Sequence, residues 1–194
     1  MKYKLLILFS FLISVVPNIG FSQEQQVEKK IRVYFSAKVS KPQYQKFNSG
    51  VREKIFNENY QVFMPQSLFI PELEFETIEK CAYEADKAAI DWSDIVFLLS
   101  PYGKDCAWEI GYAKGKNKFI IGFLSDKESI GDSMVIGSLH LAITDDPEVM
   151  SILAKDDRTK DKCLFLGEES FDNLVMPFYN RECHLREILQ ANGG

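Results

Sequence analysis

A chain of 194 residues, 46% apolar and 26% charged, can bury one sizeable core, and neither fraction marks it as disordered. Its net charge of −5 argues against a basic surface for a nucleic acid polymer. No internal repeat or low-complexity tract divides it.

The first 22 residues read as an export signal rather than as part of the fold. Lys2 and Lys4 precede an apolar run from Leu5 to Val16, interrupted only by Ser10 and Ser14. Pro17, Asn18 and Gly20 end the run, and Gly20-Phe21-Ser22 puts small residues where a signal peptidase cuts. The apolar run is short for a membrane span, so no stable span is expected after processing. The expected location is periplasmic or secreted. Loss of the two lysines leaves 21 of 23 basic side chains against 28 acidic ones, a net charge of about −7. Export would carry Cys81, Cys106, Cys163 and Cys183 into an oxidising compartment, where three pairings are open to them. Their spacing, even with His140 and His184, fits no zinc template, so neither metal nor cofactor is expected.

Gln23 to Lys30 is polar and reads as a disordered lead-in, followed by a first strand at Ile31–Ala37. Pro42 opens a helix that places Phe47, Val51 and Ile55 on one face, with Gly50 as a weak point in its middle. Gln61–Met64 is a short second strand closed by Pro65, and Leu68–Pro71 is a loop. From Glu72 to Trp92, Phe75, Ile78, Ala82, Ala85, Ala89 and Trp92 recur at steps of three and four, which predicts a long helix. Asp86 falls at the margin of its buried stripe, where a carboxylate needs a partner; Lys87 or Lys80 could supply one.

Ile95-Val96-Phe97-Leu98-Leu99 is apolar without alternation, the pattern of a strand covered on both faces. Ser100, Pro101 and Gly103 break it, and a helix opens at Asp105 or Cys106 with Ala107, Ile110 and Ala113 at helical spacing. Glu109 then falls in the first turn, where the helix dipole favours the ionised carboxylate. That makes it a candidate nucleophile, although acids also occupy first turns simply as dipole partners. Cys106 at the same helix start is a candidate for a thiol of lowered pKa, or else a small apolar filler or half of a disulfide. Lys118–Leu124 and His140–Thr144 are the fourth and fifth strands, with a loop at Ser125–Asp132 and a short helix at Ser133–Leu139. Helices alternating with these strands predict an α/β fold with a doubly wound, mostly parallel five-stranded sheet and helices on both faces. Beyond Asp145 the pattern weakens. Pro147–Ala154 and Glu182–Gln190 read as helices, Cys163–Leu166 as a possible strand and Ala191–Gly194 as a flexible tail.

Three features together resemble the nucleoside 2-deoxyribosyltransferase family, which includes deoxynucleoside monophosphate N-glycosidases. The first strand ends in VYFSA, with Tyr34 where the family places a tyrosine and Ser36 close by. Asp86, Ile90 and Asp94 repeat at four-residue steps into the third strand. AWEIGYA, from Ala107 to Ala113, surrounds Glu109 and is the most specific of the three. The resemblance covers residues 31–145 and leaves 146–194 as an unassigned extension.

The resemblance implies a flavodoxin-like fold, a homo-oligomer, and cleavage of the N-glycosidic bond of deoxynucleosides with the sugar passed to water or a second base. It implies Glu109 as nucleophile, Tyr34 as the group orienting it, and Asp86 as the acid that holds or protonates the leaving base. Ser36, Asp105, Asp132 and Ser133 would contact substrate. The position six before the nucleophile, acidic in typical members, is Gly103 here; the nearest acid is Asp105, which can also serve as helix N-cap. Near the sugar's 5′ end, members taking free nucleosides resemble Asn-Leu-Met and those taking monophosphates resemble Ser-Ala-Met. Asp132-Ser133-Met134 stands there in this chain, and a carboxylate would favour a 5′-hydroxyl over a 5′-phosphate. The alternatives are cleavage of a larger nucleotide such as NAD, or a nucleoside-binding module without catalysis.

Overall fold

The computed structural model describes residues 30–68 and 75–191. The expected export signal, most of the lead-in, residues 69–74 and the last three residues lie outside it. The elements run β1 (Ile31–Ala37), α1 (Pro42–Ile55), β2 (Tyr60–Phe63), α2 (Phe75–Trp92), β3 (Ile95–Leu99) and α3 (Lys104–Gly115). They continue as β4 (Phe119–Phe123), α4 (Ser133–Ser138), β5 (Leu141–Thr144), α5 (Pro147–Leu153), β6 (Cys163–Phe165) and α6 (Phe171–Ala191).

The strands form one parallel sheet in the order β2-β1-β3-β4-β5-β6. This is the expected flavodoxin-like α/β architecture, but with six strands rather than five. The extra strand is the Cys163 segment, which pairs with β5 from Ala142↔Cys163 to Thr144↔Phe165. It is a short edge strand, and shortness is one way a sheet edge avoids pairing with other chains.

Strand side chains alternate between two cores. Val33, Phe35, Phe97, Ile121 and Ile143 face α1 and α6, whereas Tyr34, Val96, Leu98, Ile120 and Ala142 face α2, α3, α4 and α5. Because both faces are covered, β3 and β4 are buried at every position, which is why their sequences carry no polar alternation. On α1, Val51 and Ile55 are buried as expected, but Phe47 turns partly to solvent at 42% exposure. Bidentate pairing of Arg32 with Asp94, at 3.0 and 2.7 Å, ties the starts of β1 and β3 together. Asp94 therefore serves the fold, unlike Asp86 earlier in the same sequence pattern.

The segment after Asp145 contributes to the same core. The expected helix at Glu182–Gln190 is only the last part of α6, which runs from Phe171 through Pro177 to Ala191. Phe171 packs edge-on against Phe56 at 5.2 Å and Phe97 at 5.9 Å, and Val175 is fully buried. This packing outweighs the proline's disruption of the helical ladder. No described helix is long and apolar enough to cross a membrane. All four cysteines are free thiols.

In a doubly wound sheet, ligands bind beyond the strand C-termini where successive connections leave on opposite faces. Here that switch lies between β1 and β3. If α6 is integral to the fold, Phe171→Ala should cost about 3–5 kcal/mol in guanidinium unfolding, the range for a buried phenylalanine. A loss below about 1 kcal/mol, the scale of an ordinary surface change, would contradict that packing.

Candidate active site

The pleat of β1 builds the back of the site. Tyr34 and Ser36, two residues apart, share the face turned toward α2 and α3, and both are fully buried. From α3, Glu109 reaches this strand and accepts a hydrogen bond from Ser36 Oγ at 2.5 Å. From α2, Asp86 reaches the same place, with Oδ1 buried and unpartnered among the described residues. Tyr34 Oη is also buried without a well-formed hydrogen bond, although it lies near enough to Glu109 and Asp86 for both to perturb it.

Burial governs the protonation of all these groups. It pushes Glu109 up to about 7, with the Ser36 hydrogen bond opposing the rise and Asp86 adding to it. It pushes Asp86 up to about 6. Burial, then the nearby carboxylates, drives the Tyr34 phenol far above its ordinary range, so it remains a proton donor. Cys106 rises to about 11 for the same reason, reinforced by Glu109. A thiol of lowered pKa is thus not found: Cys106 is 3% exposed, and desolvation outweighs the helix terminus.

The structure moves two expectations. Helix α3 begins at Lys104 with Gly103 as N-cap, so Glu109 lies in the second turn and Asp105 in the first. The dipole falls off within one turn, which leaves Ser36 as the main stabiliser of ionised Glu109. Asp105 is inside the helix rather than capping it, and lines the cleft.

That cleft has a volume of about 620 Å³ and is lined by the loop after β1, by Pro65, and by α2 and α3, including Asp86 and Asp105. Glu109, 6% exposed, lies behind its surface. Ser36, expected to contact substrate, is fully buried, lies outside the cleft's lining residues like Glu109, and donates to that carboxylate; its i+2 spacing from Tyr34 was the available signal. Asp132 and Ser133 are not among the cleft's lining residues. Asp132 caps α4, accepting from the Met134 and Val135 amides, and Ser133 Oγ accepts from Arg158 at 3.0 Å. A second cleft, of about 530 Å³ between α1 and the ends of β4 and β5, contains no comparable pair of buried carboxylates; its acid, Asp145, is paired with Lys54.

A family model described as nucleoside 2-deoxyribosyltransferase matches residues 33–174. The chain belongs to that family. A search of curated proteins found no match. The 2-deoxyribosyltransferase from Bacillus psychrosaccharolyticus is similar at 23% identity and TM-score 0.51, over 66% of this chain and 94% of that one. This likeness supports the fold. A CMP N-glycosidase from Clostridium botulinum aligns at 22% identity and TM-score 0.43, over 58% and 87% of the two chains. A conserved Enterococcus faecalis protein aligns at 14% identity and TM-score 0.47, over 78% and 99%.

In this deoxyribosyltransferase-family chain the buried carboxylate has a stability signature. Glu109 titrates near 7 when folded against an ordinary 4.5, so between those values the folded state holds a proton that the unfolded state has lost. Stability therefore falls as pH rises through that window, by roughly 3 kcal/mol for such a shift. Glu109→Gln should match the native protein in denaturant unfolding at pH 4 and exceed it at pH 8. Equal stabilities at pH 8 would mean that the carboxylate is not strained by burial.

Proposed function

We propose that this protein cleaves the N-glycosidic bond of deoxynucleosides through a covalent glycosyl intermediate on Glu109, then passes the sugar to water or a second base. The observation that carries this reading is Glu109, held by Ser36 beside an Asp86 of raised pKa at the edge of a nucleoside-sized cleft. A Glu109 carboxylate oxygen attacks C1′ as the bond from C1′ to the base nitrogen breaks, and the electron pair leaves with the base. Protonated Asp86 gives its proton to the departing base. Water or an incoming base then attacks C1′, frees Glu109, and returns a proton to Asp86. Two displacements retain the anomeric configuration. Tyr34 remains protonated throughout and can donate to either carboxylate as charge shifts between them.

Export and homo-oligomerisation belong to the same proposal. The N-terminal 22 residues support the first. The position of Asp132 and Ser133, outside the cleft of their own chain, supports the second, because a neighbouring copy could present them.

Incubation of the purified protein with a panel of nucleosides, with free base followed by chromatography, tests the activity. Glu109→Gln should abolish base release, because an amide cannot form the glycosyl ester. Asp86→Asn should slow it by about a hundredfold, the scale of a lost acid–base group. The reaction needs Glu109 ionised and Asp86 protonated, so kcat/KM should be bell-shaped, falling below about 6 and above about 7. Near-native turnover by Glu109→Gln would refute the mechanism.

Asp132 offers a separable test. Serine also caps helices well, so Asp132→Ser should keep α4 while removing the charge. The native protein should prefer nucleosides to their 5′-monophosphates, and this variant should narrow the gap. Faster base release from monophosphates by the native protein would overturn the role of Asp132 and leave Glu109 untouched.

A further inference from the structure

The described mechanism uses the carboxylates of α2 and α3 but not the two aromatic rings beside them. Tyr83 lies three residues before Asp86, and so on the same side of α2; Trp108 immediately precedes Glu109. The rings meet across the two helices with centroids 4.9 Å apart and planes inclined at 44°. Trp108 is also stacked on Tyr112, at 5.4 Å and 13°. Both Tyr83 and Trp108 line the candidate cleft, yet they remain 47% and 39% exposed. Two part-exposed rings in contact, one of them stacked on a third, make a rigid aromatic surface, available at little further entropic cost.

The other side chains of the cleft indicate what this surface suits. Ala37, Val39, Pro65 and Ala82 contribute apolar area, while polar groups other than the carboxylates are few. A guest with apolar faces and a polar edge fits such a lining, and a nucleobase has that form. We infer that Tyr83 and Trp108 form the platform on which the departing base stacks, and that this site therefore takes purine nucleosides in preference to pyrimidine nucleosides. The larger ring system covers more of the platform, and stacking does not depend on the pattern of edge donors and acceptors. The inference rests on the glycosidase reading for its catalytic consequence, but not for the binding itself.

The chain has two tryptophans, so Trp92→Phe leaves Trp108 as the sole indole reporter. Titration of that variant with free adenine should quench its emission saturably, and uracil should bind more weakly. In turnover, Trp108→Ala should raise KM for deoxyadenosine roughly 5- to 150-fold, the loss expected for one base–aromatic stack. The kcat should stay within about threefold and the pH profile should not move, since the carboxylates are untouched. Trp108→Phe, which keeps a ring, should recover most of the affinity and guards against a folding defect in the alanine variant. Absence of saturable quenching, equal or tighter binding of uracil, or an unchanged KM in Trp108→Ala would overturn the platform. If adenine quenches but no nucleoside releases base, the platform stands and the glycosidase reading falls.

Discussion

A carboxylate taken almost wholly out of water keeps its charge only where something replaces the lost solvation. For Glu109 the replacement is one short hydrogen bond from Ser36, a residue with no exposure of its own. That bond depends on β1 occupying the interior of the sheet, with β2 and β3 on either side to fix its pleat. It depends equally on α3 packing through Ile110 and Ala113, which brings the next face of the helix against the strand. A single hydroxyl does not compensate fully, and Glu109 remains easier to protonate than an ordinary glutamate. The site thus holds a buried carboxylate on one partial partner rather than in a fully stabilised ion pair.

One physical cause, desolvation, raises the pKa of four neighbouring groups, with different results. It leaves Glu109 and Asp86 titrating close to neutrality, where each can change state during a reaction. It keeps Tyr34 and Cys106 neutral over the same range. Tyr34 Oη and Asp86 Oδ1 are buried polar atoms without a well-formed hydrogen bond among the described residues. Such atoms are costly to stability and favour a ligand that can pair with them.

Much of the fold was legible because burial on both faces writes itself plainly into short apolar runs such as Ile95–Leu99. The sixth strand was harder to see, since three residues with a part-exposed Phe165 carry little pattern. The first half of α6 was hidden by Pro177, which locally reads as a stop; only the packing of Phe171 and Val175 explains why the helix continues. At the candidate site, the motifs around Glu109 and Asp86 single both residues out in the sequence, and the structure brings both close to Tyr34. The turn in which Glu109 lies was misplaced because Gly103, the N-cap, makes no side-chain capping bond that would announce itself. For Cys106 the sequence left a lowered-pKa thiol, a small apolar filler and half of a disulfide open; only what packs over it decides for the buried, free thiol.

The pleat of β1 also bears on how this protein can diverge. Tyr34 and Ser36 alternate with Val33, Phe35 and Ala37, which are buried in the opposite core, so a one-residue insertion within the strand would interchange the two sets beyond it. Inheritance of the carboxylate's support is therefore bound to inheritance of the core itself. The exposed outer positions of α2 and α3 are under no such constraint. Substitutions at such rim positions move no residue between the two cores, so the cleft's rim can vary while the strand beneath Glu109 stays as it is.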